Sequence, residues 1–166
     1  MYDELTKMDI EKMQEEIEYR KVVLRPQLLE EVKTARAFGD LSENYEYKEA
    51  KRLKNKNEGR IRYLTNMIKT AKIIEDISTE DTVGLFDIVE CYMDDIDEVM
   101  TVQLATNVRI NVSEGIYSKD SPIGRALLGK KVGDKVEIES PDGGYVVEIK
   151  SITKSYDDGS APILSY

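Results

Sequence analysis

Two long helical patterns meet in the segment Arg36-Ala37-Phe38-Gly39-Asp40-Leu41-Ser42-Glu43-Asn44-Tyr45-Glu46-Tyr47. Gly39 marks a turn between them, because glycine commonly ends a helix in a conformation that other residues avoid. Asp40 and Glu43 place two carboxylates three residues apart at this turn. The segment therefore predicts the tip of a helical hairpin that carries two acids.

Apolar residues before the tip follow the three, four and seven spacing of an amphipathic helix. They are Ile10, Met13, Ile17 and Leu24, continued with a shifted phase by Leu28, Val32 and Ala35. Pro26 removes one backbone hydrogen bond, so we expect a kink or the phase shift near it.

The second arm alternates steps of four and three, which is typical of a coiled-coil seam. The seam positions are Ala50, Lys54, Asn57, Ile61, Leu64, Ile68 and Ala71. Two such arms predict an antiparallel coiled-coil hairpin roughly 45 Å long, at ~1.5 Å per residue. The alternative is an ordinary helical pair that covers a core, but residues 36–57 offer little apolar surface for one.

The second half of the chain changes to a period of two, which predicts antiparallel strands at residues 100–104, 108–112 and 145–149. Pro141-Asp142-Gly143-Gly144 predicts a hairpin turn. Ser121 before Pro122 predicts the start of a short helix. The fold class is therefore α+β, with a finger at 1–76, a linker at 77–84, a β domain at 85–154 and a loose tail at 155–166.

Charge is divided unevenly along the 166 residues, whose formal net charge is −9. Residues 1–72 carry 16 Lys and Arg against 14 Asp and Glu, whereas residues 73–166 carry 8 against 19. We expect two regions with different partners. The acidic half would repel nucleic acid, so autonomous DNA binding is not expected.

Composition excludes several kinds of site and location. The chain has no His and a single Cys, Cys91, which rules out zinc sites and Ser-His or Cys-His nucleophile systems within it. Any metal would be a hard ion on oxygen ligands. The absence of an apolar run of about 18 residues and of a secretion-signal pattern predicts a cytoplasmic protein without a membrane span.

Two interpretations of Asp40-Leu41-Ser42-Glu43 remain open. As a capping box, Asp40 would cap the second helix and Glu43 would be its third residue. Alternatively, both carboxylates face outward and bind Mg²⁺, with a partner supplying the other ligands.

The second arm also carries seven cations within fifteen residues. They are Lys48, Lys51, Arg52, Lys54, Lys56, Arg60 and Arg62. They form either a solvated helix face or, with Arg36 of the first arm, a basic strip for a phosphate backbone. Tyr45 and Tyr47 would stack on a base or pack on the opposite arm, and packing is favoured for Tyr47.

Four segments resemble the GreA/GreB transcript-cleavage factors of bacterial RNA polymerase. They are Arg25-Pro26, Ala35-Arg36-Ala37-Phe38-Gly39-Asp40-Leu41-Ser42-Glu43-Asn44, Glu58-Gly59-Arg60-Ile61 and Ser121-Pro122-Ile123-Gly124-Arg125-Ala126-Leu127-Leu128-Gly129-Lys130. The resemblance runs from Leu5 to Ile152. Tyr45 departs from it, because a small residue is usual there. The basic second arm favours the GreB type, whereas Glu58-Gly59-Arg60 favours GreA.

The resemblance implies a finger that enters the secondary channel of a backtracked polymerase. Asp40 and Glu43 would then be catalytic, because in the family such acids help hold an Mg²⁺ ion in the polymerase active centre. Arg36, Lys51 and Arg52 would lie near the nascent RNA 3′ end.

By the same resemblance the second domain is FKBP-like and docks on the polymerase through Asp120, Ser121 and Pro122. The protein would be a monomer that stimulates cleavage by the polymerase and is not itself an enzyme. One alternative is a non-catalytic channel binder that inhibits or retunes transcription. Another is a plain interaction or chaperone-like protein, but the presence of both tip acids favours the cleavage factor.

Overall fold

The computed structural model describes residues 3–39 and 43–165. They form a hairpin unit of residues 10–71 and a globular unit of residues 3–9 and 72–165. The first helix, α1 (Lys7–Tyr19), crosses the boundary between the units after Asp9. The α+β class predicted above is confirmed. Among the described residues, no helix has the length and apolar character that crossing a membrane requires.

The hairpin unit consists of two antiparallel arms. The first arm runs through α1, a π-helical segment (Arg20–Leu24) and α2 (Arg25–Arg36). The second arm is one helix, α3 (Tyr45–Thr70). The seam is confirmed where its residues are buried in α3, at Ala50, Asn57, Ile61 and Leu64.

The π-helical segment explains the shifted apolar phase of the first arm. The Arg25 amide donates to the Arg20 carbonyl, one residue further back than in an α-helix. Pro26 lies near the start of α2 and has no backbone N–H, so it cannot donate the usual α-helical hydrogen bond. The wider π-helical turn lies directly before this missing bond. Buried Asn57, only 3% exposed, faces this turn and donates to the Arg20 carbonyl at 3.2 Å.

Charged pairs join the two arms along their length. Arg25 makes two hydrogen bonds to the Glu58 carboxylate, at 2.7 and 2.9 Å. Arg60 donates to Glu16 at 3.0 Å, nearer the base of the hairpin unit. These pairs fix the register of the arms, because each requires one particular alignment of α3 against the first arm.

The globular unit contains a two-stranded parallel sheet and a five-stranded sheet. The small sheet pairs β1 (Glu4–Leu5) with β2 (Lys72–Ile73). The large sheet has the order β5-β4-β3-β7-β6. Its strands are β3 (Ile88–Met93), β4 (Glu98–Ala105), β5 (Ile116–Ser118), β6 (Lys135–Ile138) and β7 (Tyr145–Thr153).

The core lies between this sheet and a short helix, α4 (Pro122–Leu127). Leu127 and Ile123 of α4 belong to the same buried cluster as Val102 and Ile149 of the sheet. The predicted strands at 100–104 and 145–149 and the predicted helix after Ser121 are therefore confirmed. The predicted antiparallel pairing is present between β3, β4, β6 and β7, whereas β5, which was not predicted, pairs with β4 in parallel.

The strand predicted at residues 108–112 is absent. Two 3₁₀ turns, Asn107–Arg109 and Val112–Glu114, stand there instead. The alternation misleads because Arg109, which a half-exposed strand would turn outward, is only 1% exposed. Its guanidinium forms buried ion pairs with Asp9 and Asp157, and the chain turns to make them.

Two segments expected to be loosely attached are packed into the globular unit. In the expected linker, Val83 is buried and its amide donates to the Lys130 carbonyl at 2.9 Å. In the expected loose tail, the Ser155 amide donates to Asp87 at 2.9 Å, and the Leu164 amide donates to the Val108 carbonyl at 2.7 Å. Both segments therefore contribute to the unit that they were expected to flank.

Candidate functional site

The tip of the hairpin unit is shaped by Asn44 and Gly39. The Asn44 Oδ1 atom accepts from the Tyr47 amide at 3.0 Å and so caps α3. Its Nδ2 atom donates to the Ala35 carbonyl at 2.7 Å, at the end of α2. Gly39 has a φ of 123°, a conformation in which a side chain would be strained. One amide side chain thus ties the two helix ends together across the turn.

Of the two predicted tip acids, Asp40 lies outside the described residues, and Glu43 is exposed. The capping-box interpretation is wrong for Glu43, because α3 begins at Tyr45 and its cap is Asn44. The Glu43 carboxylate therefore precedes the helix and faces solvent. Within the ranges 3–39 and 43–165, no group of three or more His, Cys, Asp or Glu side chains is placed to hold a metal ion.

Sequence reasoning missed the role of Asn44, although a signal for it was present. Asn is among the preferred residues for capping a helix, and Asn44 directly precedes the helical pattern of the second arm. The acids at Asp40 and Glu43 offered a competing cap with the same kind of chemistry. The start of α3 at Tyr45 and the hydrogen bond from the Tyr47 amide to the Asn44 Oδ1 atom decide for Asn44.

The structure brings two of the three predicted RNA-proximal cations to one surface. The Arg36 guanidinium lies 5.5 Å from the centre of the Tyr47 ring. A hydrogen bond with Arg36, together with the charges of Lys51, Arg36 and Lys54, lowers the pKa of Tyr47. We call Arg36, Tyr47, Lys51 and Lys54 the basic face. The packing interpretation of Tyr47 is supported, because its ring meets a residue of the opposite arm.

The third predicted cation, Arg52, makes a different contact. It donates to both oxygens of the Glu49 carboxylate on its own helix, at 2.6 and 2.9 Å. This hydrogen bonding lowers the pKa of Glu49. Arg52 is exposed, but its charge is already paired with Glu49. Arg36 and Lys51 do not pair with Glu49.

The three predicted docking residues are consecutive at the start of α4, whose first residue is Pro122. Ser121 caps this helix, because its Oγ atom accepts from the Gly124 amide at 3.1 Å and donates to the Ser118 carbonyl at 2.6 Å. Asp120 and Pro122 are exposed on either side of it. A Cβ atom on Gly124 would lie 2.2 Å from the Ser118 carbonyl oxygen, so the turn requires glycine there.

Lys119 anchors this turn to the first strand of the chain. Its ammonium group donates to the carboxylates of Glu4 and Asp120. Burial lowers the pKa of Lys119, but the two hydrogen bonds outweigh this effect and raise the pKa above its ordinary value. Asp120 is therefore held in place by a neighbour that remains charged.

Comparisons with known proteins cover nearly the whole chain. A model of the GreA/GreB N-terminal domain, described as transcription elongation factor, N-terminal, matches residues 4–73. A second, described as transcription elongation factor, GreA/GreB, C-term, matches residues 78–154. Transcription elongation factor GreA of Thermoanaerobacter pseudethanolicus is 43% identical over 152 residues, which are 90% of this chain and 96% of that protein.

Two further relatives are similar in extent. Transcription elongation factor GreA of Bacillus subtilis is 42% identical over 144 residues, 86% of this chain and 91% of that protein. Among solved structures, GreA factor homolog 1 of Thermus thermophilus is 26% identical, covers 93% of this chain and 100% of that chain, and gives a TM-score of 0.42.

Proposed function

The chain belongs to the GreA/GreB family of transcription elongation factors, and from this premise we propose that it stimulates Mg²⁺-dependent cleavage of RNA by backtracked RNA polymerase. The hairpin unit would enter the secondary channel of the polymerase and reach the RNA 3′ end. The observation that carries this proposal is the exposed Glu43 carboxylate at a tip that Asn44 holds in shape. The chain would act as a monomer and contribute residues to an active site that belongs to the polymerase.

The tip acids suit the metal that the reaction needs. Carboxylate oxygens are the ligands that Mg²⁺ prefers, and Mg²⁺ commonly completes its shell with waters and phosphate oxygens. Glu43, exposed and outside the helix, and Asp40 would therefore share the ion with the polymerase. Such an ion activates a water and stabilises charge on the phosphate that is attacked. Asn44 would position the acids by fixing the turn on which they stand.

The basic face would hold the extruded RNA beside the tip. Phosphate contacts from Arg and Lys position a strand without reading its sequence. Arg36 and Lys51 are both exposed, and Arg36 lies at the Tyr47 ring, so both can face a phosphate group. The Arg52 guanidinium is already hydrogen bonded to Glu49, so it would have to break that bond before it could bind an RNA phosphate.

The turn before α4 would dock the globular unit on the polymerase. Asp120 and Pro122 present an exposed carboxylate and an exposed ring, whereas the Ser121 hydroxyl is occupied by the cap of α4. We therefore assign contact with the polymerase mainly to Asp120 and Pro122. Ser121 would keep the two in place.

The test is a cleavage assay on a stalled, backtracked bacterial elongation complex with Mg²⁺. We expect the protein to shorten the RNA from its 3′ end. Asp40→Asn and Glu43→Gln keep the size of each side chain but weaken its metal binding. Each should slow stimulated cleavage by at least about tenfold, which corresponds to about 1.4 kcal/mol of transition-state stabilisation.

The matched control is Glu18→Gln, an exposed acid of α1 far along the chain from the tip. It should leave cleavage unchanged, and all variants should compete equally for polymerase. Cleavage at the unaltered rate by the Asp40→Asn/Glu43→Gln double variant would contradict the proposed role of the acids. Binding by the natural protein without any cleavage would instead favour the non-catalytic channel binder.

A further inference from the structure

A groove with a volume of about 950 Å³ runs between α2 and α3 near the tip. Its apolar lining includes Ala35 and Ala50, which are buried, and Leu53, which is half-buried. Phe38 and Tyr45 also line it, yet their side chains are 69% and 82% exposed. Two large apolar rings at one surface groove are typical of an interaction site, because water contacts them at a free-energy cost.

The charged residues that line the groove are four exposed acids, Glu30 and Glu31 of α2 and Glu46 and Glu49 of α3. Arg52 already neutralises Glu49, and the Lys48 ammonium lies 5.6 Å from the centre of the Tyr45 ring, so Glu30, Glu31 and Glu46 carry the acidic character of the border. None of the described residues that line the groove is a Lys or an Arg. An anionic strand would be repelled here, whereas a cationic flank beside an apolar ridge would be attracted.

The lining residues repeat at helical spacing on both arms. On α2 they include positions 27, 31, 34 and 35, and on α3 they include 45, 46, 49, 50 and 53. Spacings of three and four place side chains on one helix face. The groove is therefore a continuous strip of the hairpin unit, suited to an extended row of anchors rather than to a compact small molecule.

We propose that this groove docks an amphipathic helix of RNA polymerase that carries Lys and Arg beside its apolar ridge. Helices bind such grooves through anchors at positions i, i+3 or i+4, and i+7. The inference rests on the proposed function and extends it by giving the hairpin unit two working surfaces. The basic face would meet RNA, and the acidic, apolar groove would meet protein.

The first experiment measures the dissociation constant for purified bacterial RNA polymerase. Phe38→Ser/Tyr45→Ser should weaken binding at least about tenfold, because central aromatic anchors dominate interface energies. Both rings are exposed, so their loss should leave the helical circular dichroism signal unchanged. The matched control is Val22→Ser/Leu29→Ser, two exposed apolar residues of the first arm outside the groove, which should bind normally.

The second experiment separates a local charge effect from a global one. Glu30→Lys/Glu31→Lys and Glu15→Lys/Glu18→Lys change the net charge of the chain equally. Only the first pair borders the groove, so only that pair should weaken binding to polymerase. Equal weakening by both pairs would overturn the groove as the source of charge complementarity.

The third experiment places the photocrosslinker p-benzoylphenylalanine at position 45 in a stalled elongation complex. Crosslinks to a polymerase peptide that contains Lys or Arg beside apolar residues would support the proposal. Crosslinks to RNA or to a second copy of this chain would overturn it. If the groove variants lose binding while the natural protein binds polymerase without stimulating cleavage, the proposed function is contradicted and the docking role of the groove is supported. If the natural protein stimulates cleavage and the groove variants bind normally, only the docking role of the groove is contradicted.

Discussion

Asn44 shows how one residue can organise a site in which it does no chemistry. Its Oδ1 atom satisfies an orphan amide of α3, and its Nδ2 atom adds a second donor to the Ala35 carbonyl, which also accepts from the Phe38 amide at 3.2 Å. An ionised Asp at this position could accept from the Tyr47 amide but could not donate to the Ala35 carbonyl. The position therefore favours Asn over Asp.

Asn44→Ala should destabilise the hairpin unit by about 0.5–2 kcal/mol, the usual cost of a lost cap. Stimulated cleavage should also fall, because both acids remain but the turn that carries them loosens. Amide hydrogen exchange at Tyr47 would report the lost bond directly. Unaltered protection of that amide would contradict the assignment of the cap.

Two companion variants sharpen this test. Asn44→Asp keeps the acceptor and loses the donor, so it should restore protection at Tyr47 without restoring the tie to the Ala35 carbonyl. Asn55→Ala removes an exposed Asn from the middle of α3 and should leave stability and cleavage unchanged.

At the scale of elements, the pair Arg25–Glu58 links the start of α2 to α3. The hydrogen bond with Arg25 lowers the pKa of Glu58 below its ordinary value of 4.5; desolvation opposes the shift, and the charges of Arg25, Lys54 and Arg62 add to it. A carboxyl with a depressed folded-state pKa stabilises the fold above its unfolded pKa. That stabilisation is lost as pH falls through the folded value.

Glu58→Gln should therefore lower the thermal midpoint of the hairpin unit at neutral pH. The difference from the natural protein should narrow as pH falls below 4.5, where Glu58 becomes protonated. Circular dichroism melts over a pH series would measure it. Glu49→Gln is the matched control, because the Glu49–Arg52 pair lies within one helix and should affect stability less. A constant difference at every pH would exclude the ion pair as its cause.

The two adjacent cations of α3 should differ in their effect on RNA. Lys51→Glu places a negative charge on the basic face and should reduce crosslinking from the RNA 3′ end in long backtracked complexes. Arg52→Glu should have a smaller effect, because the Arg52 charge is already paired with Glu49. Both should matter less in backtracks of about two or three nucleotides, where little RNA leaves the active centre. Equal losses from the two variants would contradict the separation of these residues.

Periodicity predicted the arms and the seam because a buried helix face repeats within a few residues. Residues 108–112 alternate apolar and polar side chains as the true strands do, but they form no strand. Arg109 is buried by ion pairs with Asp9 and Asp157, which lie too far away in the sequence for a local pattern to reveal them. Pro26 indicated a phase shift, but its π-helical form depends on the turn that faces Asn57. The predicted roles of Asp40, Glu43 and the basic residues came from the family resemblance, and their chemistry remains a prediction.

At the scale of the whole molecule, a buried charge cluster closes the globular unit. The Arg109 guanidinium donates to Asp9 at 3.0 Å and to both oxygens of Asp157 at 2.7 and 2.8 Å. Asp9 also accepts from the Thr106 hydroxyl at 2.7 Å. Asp157 lies beyond residue 154, where the match to the family model ends. The cluster is therefore completed by a segment that the family pattern does not include.

Asp157→Ala should destabilise the full chain by about 1.5–3 kcal/mol, the range for hydrogen bonds to charged groups. A larger loss is not expected, because Asp9 still neutralises Arg109. Urea unfolding would measure the change. Asp158→Ala should have a smaller effect, because the exposed Asp158 carboxylate makes local hydrogen bonds with Ser160, two residues away. Equal stability of the two variants would show that the tail contact contributes nothing.

The same cluster determines the order in which the two units can fold during translation. Asp9 and Arg109 are 100 residues apart, so their ion pair cannot form until residue 109 has been translated. The second ion pair of Arg109 also requires Asp157, which is translated later still. Strand β7, which lies between β3 and β6, is also made late. The internal contacts of the hairpin unit, by contrast, join residues 10–71 and can form while later residues are still being translated. A ribosome that stalls before residue 157 should thus hold a chain whose hairpin unit is folded and whose buried arginine lacks its second carboxylate.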